Sequence, residues 1–244
     1  MNYWITIEPH FHDHNNHTLP KSVDWRFSAQ TGTPLATPVK AQGHCGSCWA
    51  FATAAALETH IAIHQNQTTL VELSMQELVS CVPNPNHCGG SGGCGGSTAE
   101  LALDFIAVRG LVDEWHFGYQ SYGGKPHGRV KCNLKTQPFE TETTTNNQQP
   151  VSQFYQDAVA TVEGYVRLPS NNYTALMHAV AKFGPVIVNV ASDPWTNYES
   201  GVFSAHGHTT ANTDINHVVV LMGYGNDETT GEDYWLVRNS YGPQ

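Results

Sequence analysis

The apolar positions of this chain change their spacing partway along it. Positions 48–64 are rich in alanine and contain neither glycine nor proline, which predicts a long helix. Ser74 with Glu77 three residues on forms a capping box and starts a second helix that ends near Cys81. Ser97 and Glu100 repeat that pattern and open a third helix, stopped at Gly110. A fourth fits 173–183 and is ended by Gly184-Pro185. Around it, short apolar runs at 161–167, 186–190, 218–222 and 234–238 read as strands.

The polar stretches separate these elements. Residues 1–18 are polar and carry His10, His12, His14 and His17; alternate histidines can chelate a metal, but the composition fits a solvated linker better. An extended lead-in follows from Leu19 to Arg26. Residues 32–47 and 83–96 are rich in glycine and polar residues and read as loops. Residues 136–153 are rich in Thr, Asn and Gln without any period, the pattern of an exposed insertion. Helices dominate the first half and strands the second, and no internal repeat is visible. That order argues an α+β fold in two lobes.

Composition narrows the classes. The chain has 244 residues, 40% of them hydrophobic and only 13% charged, so it is too apolar for disorder. No apolar run approaches the ~20 residues that span a membrane. The net charge is −10, with no basic patch for nucleic acid. Fourteen histidines change that balance with pH: protonating most of them near pH 5 carries the charge to about +3. This suits an acidic compartment, although chance enrichment explains the count equally well. The six cysteines all lie within the first 132 residues, and sequons begin at Asn16, Asn66 and Asn172, which together suggest a secretory, disulfide-bonded glycoprotein. The residues after Met1 have no basic or apolar leader character, so either the protein is cytosolic or its upstream part is absent from this sequence.

Cys45-Gly46-Ser47-Cys48 admits three chemistries. A redox pair needs a preceding βαβ context, and a loop stands there instead. A zinc site needs a second half, and Cys81, His87, Cys88 and Cys94 are irregularly spaced. A nucleophile at a helix start gains from the helix dipole and the open N–H groups, which favour a thiolate. It still requires a base and an oxyanion hole.

The surroundings decide between them. The stretch Gln42-Gly-His-Cys-Gly-Ser-Cys48-Trp-Ala-Phe resembles the nucleophile segment of the papain family of cysteine peptidases, cathepsin L-like branch. The resemblance runs from Leu19 to about Gly242. It continues through Leu19–Arg26, Glu72–Cys81, Gly92-Gly-Cys-Gly-Gly96, Gly184-Pro185, Ser200-Gly-Val-Phe203, Asn216-His217-Val218 and Tyr234–Gly242. It implies Cys48 as nucleophile, His217 as general base and then acid, Asn239 as the residue orienting the imidazole, and Gln42 as the side-chain donor of the oxyanion hole. Taken singly, each has a plainer reading: Cys48 as the disulfide partner of Cys45, His217 as a core histidine, Asn239 as a turn residue, Gln42 as a solvated loop residue. His44 falls at a variable position of the motif and is read as flanking.

The resemblance implies a two-lobed papain-like fold. Residues 1–18 would be the tail of a propeptide. Residues 19–132 would form a mainly helical left lobe carrying Cys48, and 133–244 a β-barrel-like right lobe carrying His217 and Asn239, with substrate between the lobes. It also implies disulfides Cys45–Cys94 and Cys81–Cys132. Cys88 is then left over; its partner is expected in a C-terminal extension beyond Gln244, the alternative being a free surface thiol in a glycine-rich loop. Gly95, Gly96 and Ser97 would pair with substrate backbone, and Ala99, Asn189 and Val218 would wall the S2 pocket. Two departures stand out. Tyr241 occupies the place of a tryptophan that shields the Asn–His bond, and Ser97 replaces the second glycine of the backbone-pairing strip. The expected activity is cysteine-type endopeptidase, without cofactor or metal, made as a zymogen. The expected partners are protein or peptide substrates, its own propeptide and cystatin-like inhibitors; neither nucleic acid nor membrane is expected to bind. The expected state is a monomer, in the lysosome or vacuole or outside the cell.

Overall fold

The computed structural model describes residues 3–5, 19–65, 69–124, 130–132, 134, 157–204 and 214–243. The insertion expected at 136–153, the histidines of 10–17 and the sequons at Asn16 and Asn66 lie outside them. The described residues group into two compact units. The first takes in residues 3–5, 42–50, 71–124, 130–132, 134 and 157–166. The second takes in 19–41, 51–65, 69–70, 167–204 and 214–243. The division falls inside helix α1 (Cys48–Gln65).

In the first unit, α2 (Met75–Cys81) starts where its cap predicts, with Ser74 Oγ accepting from the Glu77 N–H at 2.9 Å. Helix α3 (Ala99–Arg109) starts differently. Its cap is Thr98, whose hydroxyl accepts from the Leu101 N–H, so Ser97 lies one residue outside the capping position. Ala99, Ala102 and Ile106 recur at i, i+3 and i+7 and are buried, which gives α3 its core-facing stripe. A three-stranded sheet has the order β1 (Tyr3–Ile5), β4 (Ala158–Val162), β3 (Leu111–Val112), with β1 parallel and β3 antiparallel to β4. β4 begins and ends earlier than the strand expected over 161–167. Its partners fix its position: Val112 pairs with Ala158 and Leu111 with Ala160. Thr161 Oγ1 donates to the Ile106 carbonyl and ties this sheet to α3. Leu73, Leu78, Ile106, Leu111 and Val112 are fully buried.

In the second unit, β6 (His217–Asn226) is the central strand. β7 (Asp233–Arg238) pairs with it over 220–226, β5 (Val186–Val190) over 217–221, and β2 (Val23–Asp24) over 223–224, all antiparallel. Helix α4 (Tyr173–Phe183) is capped by Asn172 and ended by Gly184. Its Val180 packs with Leu221 and Tyr224, and Trp25, Leu176, Val186, Trp235 and Val237 close around them. Trp25 Nε1 donates to the Val180 carbonyl at 2.7 Å. The barrel-like lobe expected from the sequence is an open sheet among the described residues, because no pairing joins β7 to β5 or β2.

The two units are also interleaved along the chain, where the sequence suggested successive lobes meeting at 132/133. Pairing across long separations causes this: β2 belongs with β6, and β4 belongs with β3. Helix α1 is buried all round from Trp49 to Ala62, the polar Thr53, Glu58, Thr59 and His60 included.

Candidate active site

Cys48 is the first residue of α1 and is partly buried. The turn before it is tied down twice. Cys45 is bonded to Cys94, with Cα atoms 4.5 Å apart. Gly46 pairs with Gly95, its N–H donating to the Cys94 carbonyl at 3.1 Å. A Cβ on Gly46 would stand 2.8 Å from that carbonyl oxygen, so only glycine permits the approach. With Cys45 committed to Cys94, the Cys45–Cys48 redox pair is not the arrangement formed. Cys81 is bonded to Cys132, with Cα atoms 5.0 Å apart. Cys88 is exposed and outside both bonds. The disulfides leave Cys48 as a thiol at a helix start, where the peptide dipoles favour negative charge.

Gln42 is buried, and its Nε2 donates to the Cys45 carbonyl at 2.9 Å. An amide nitrogen carries two protons. Gly43 follows with φ +65°, and a Cβ there would lie 2.4 Å from the Tyr122 carbonyl oxygen. Nothing in the sequence marks Tyr119, which the fold brings to this turn. Its hydroxyl donates to the Gln42 carbonyl at 2.7 Å and lies 2.9 Å from Ser47 Oγ. Burial pushes the Tyr119 phenol up to about 12. A tyrosine in an aperiodic loop carries no local signal, because its partners lie 72 and 77 residues away.

The backbone strip at Gly95 and Gly96 is bonded within its own loop. The Ser91 N–H donates to the Gly95 carbonyl and the Gly92 N–H to the Gly96 carbonyl, at 3.0 and 2.7 Å. Ser97 is buried, and Asn84 Nδ2 lies 3.5 Å from its hydroxyl. Ala99 is buried at the start of α3 in the same unit.

His217 opens β6 in the second unit and is 5% exposed. Its Nε2 lies 2.8 Å from Asn239 Oδ1. The Ser240 N–H donates to the same Oδ1 at 2.8 Å, which fixes that atom as the amide oxygen. An amide oxygen only accepts, so Nε2 carries the proton and Nδ1 carries the lone pair. Tyr241 stacks on the imidazole, with centroids 5.1 Å apart and planes at 24°. Tyr241 itself is 52% exposed. Burial lowers the His217 pKa, and the bond to Asn239 opposes that shift.

The segment around Asn239 is held by residues 37–41. Tyr241 pairs with Ala41, and the Gly242 N–H donates to the Lys40 carbonyl. Arg238, one residue before Asn239, donates to the Thr37 carbonyl and hydroxyl and to the Pro38 carbonyl at 2.9–3.0 Å. Buried Glu58 of α1 accepts from the Thr37 hydroxyl and pairs with Lys40 at 3.7 Å and with Arg238 at 3.9 Å. The two cations and the hydroxyl compensate a carboxylate whose charge burial would otherwise leave uncompensated. In the sheet, Asn189 stands opposite Val218 and Val190 opposite His217. Asn189 is exposed and Val218 buried.

Residues 19–244 match the family model described as papain family cysteine protease. The probable cysteine protease RDL4 of Arabidopsis thaliana is 38% identical over 227 residues, which are 92% of this chain and 50% of that protein. The KDEL-tailed cysteine endopeptidase CEP2 of the same plant is 34% identical over 236 residues, covering 96% of this chain and 54% of that protein. The chain spans about half the length of the curated relatives it matches. Digestive procathepsin L 3 from the larval midgut of Tenebrio molitor has a TM-score of 0.70 at 31% identity, covering 93% of this chain and 62% of that chain. That likeness gives the fold as papain-like.

Proposed function

The chain belongs to the papain family of cysteine proteases, and on that premise we propose that it is a cysteine endopeptidase working through a Cys48 thioester. The Cys48 thiolate attacks the scissile carbonyl. Gln42 and the Cys48 backbone N–H hold the developing oxyanion. His217 delivers a proton from Nδ1 to the leaving amine, and water then cleaves the thioester with His217 as base. Asn239 holds the imidazole in the tautomer this requires. The observation that carries the reading is the bond from His217 Nε2 to Asn239 Oδ1, because it leaves Nδ1 as the basic nitrogen.

The same reading gives the surrounding residues their work. Gly95, Gly96 and Ser97 pair with substrate backbone. Ala99, Asn189 and Val218 line the S2 subsite, with Asn189 adding an unusually polar contact. Protein and peptide chains are the substrates, and the propeptide and cystatin-like proteins are the inhibitors. The enzyme acts as a monomer in a vacuolar, lysosomal or extracellular setting. No metal or cofactor takes part in these steps. Hydrolysis of an unstructured protein by the active protein tests the proposal. Cys48→Ala and His217→Ala are each expected to reduce kcat/KM by at least about 10³-fold. Turnover at the unmutated rate in either variant contradicts it.

A further inference from the structure

We propose that Tyr119 is a positioning residue for the start of α1, setting Gln42 and Cys48 at a fixed separation through one line of hydrogen bonds. The inference rests on the reading of Cys48 as nucleophile and Gln42 as oxyanion donor. A tyrosine hydroxyl has one proton. The Gln42 carbonyl accepts that proton at 2.7 Å, so the 2.9 Å contact with Ser47 has Ser47 as donor. The Cys45 carbonyl also lies 3.5 Å from Ser47 Oγ, but the shorter contact is with Tyr119, so the line runs from Ser47 through Tyr119 to the Gln42 carbonyl. Ser47 immediately precedes Cys48, and Gln42 begins the turn that leads to it. Residues 42–47 form neither helix nor regular strand, and the tyrosine supplies a tether that such a segment lacks.

Tyr119 is anchored independently of what it holds. Its N–H donates to Glu114 Oε1 at 2.8 Å, and the next N–H, of Gln120, donates to Gln76 Oε1 of α2 at 2.8 Å. Its ring meets Tyr122 edge-on at 4.7 Å, and the Tyr122 carbonyl accepts from the His44 N–H at 2.8 Å. The loop bearing Tyr119 is thus fastened to α2 at one end and to the 42–47 turn at the other. The phenol, raised to about 12, keeps its proton throughout the range in which a cysteine peptidase works. A displacement of about 1 Å in such a site costs roughly 10²-fold in rate. Oxyanion stabilisation needs Gln42 and the Cys48 N–H in register together, so loss of the hydroxyl is expected to fall on it far more than on the reactivity of the thiol.

Tyr119→Phe keeps the ring and removes only the hydroxyl. Competent sites are counted by titration with an epoxysuccinyl inhibitor, and kcat and KM are measured per titrated site. The expected result is a fall in kcat of roughly tenfold or more with KM changed less. Alkylation of Cys48 by iodoacetamide builds no oxyanion and is expected to stay within about twofold of the unmutated rate. Ser47→Ala removes the far end of the line and is expected to lower kcat by a smaller factor. The double variant is expected to lose no more than Tyr119→Phe alone. An unchanged kcat per titrated site overturns the proposal, as does a parallel fall in kcat and alkylation rate. If Tyr119→Phe does not fold, Ser47→Ala decides by the same split. Cys48→Ala separates the two levels: peptidase activity surviving in it overturns the underlying reading, however Tyr119→Phe behaves.

Discussion

One oxygen atom sets the chemistry of His217. Asn239 Oδ1 receives the Ser240 N–H and the imidazole Nε2–H together, so neither the amide nor the ring can turn over without breaking a bond. Asn239→Ala removes that acceptor. Hydrogen bonds to charged groups contribute about 1.5–3 kcal/mol, so kcat/KM is expected to fall roughly 10–10²-fold. The pH profile gives a second reading of the same change. Burial lowers the His217 pKa and the bond to Asn239 raises it. Without Asn239 the lowering is unopposed, and the alkaline limb of kcat/KM is expected to move to lower pH. An alkaline limb that stays in place, measured with a neutral peptide substrate, contradicts the role given to Asn239. Cys48 stands out in the sequence because its motif is local, and Gln42 is singled out only through the resemblance of the stretch around it. His217 and Asn239 are proposed only through resemblance, since neither flanking sequence announces chemistry, and the structure adds the bond between them. The contacts of Tyr119 were not legible, because its hydroxyl meets partners that are distant in the chain.

Helices were the elements most readily legible, since caps and alanine-rich runs are local. Helix α4 occupies 173–183 and β5 occupies 186–190, as their residues predict. Strands β2 and β3 have two residues each and carry no period, so only their partners define them. The sheet expected to curl into a barrel is open among the described residues, because closure depends on pairings that no single strand encodes. The cap of α3 is the instructive miss. Ser97 and Thr98 are both competent hydroxyl caps, and the backbone chooses Thr98. Thr98→Ala is therefore expected to cost about 0.5–2 kcal/mol in urea unfolding, while Ser97→Ala costs nothing through the helix. The reverse order contradicts the observed cap. Ser74→Ala is expected to cost at least as much as Thr98→Ala, because Ser74 Oγ also donates to the Phe117 carbonyl.

At the scale of the molecule, two buried groups give stability opposite dependences on pH. His60 of α1 is held below its ordinary value of 6.5, chiefly by burial, with the Pro185 carbonyl opposing and His64 adding to the shift. The unfolded chain binds a proton that the folded chain refuses, so stability falls as pH drops below about 6.5. Glu77 of α2 behaves in the opposite sense. Burial raises it from 4.5 to about 8, against the lowering effect of the Val112 N–H, so its contribution is complete below 4.5 and is lost as pH rises through about 8. His60→Gln is expected to flatten the acid side of a plot of Tm against pH, and Glu77→Gln the alkaline side. Either slope surviving its own substitution contradicts the assignment. The central claim is that Cys48 is the nucleophile, and one measurement addresses it most directly. The active protein is treated with an epoxysuccinyl thiol-protease inhibitor and digested, and the adduct is located by mass spectrometry. The account predicts a single adduct, on Cys48, formed in step with loss of peptidase activity while the exposed Cys88 stays unlabelled. Complete loss of activity with the label on Cys88 and none on Cys48 would contradict it.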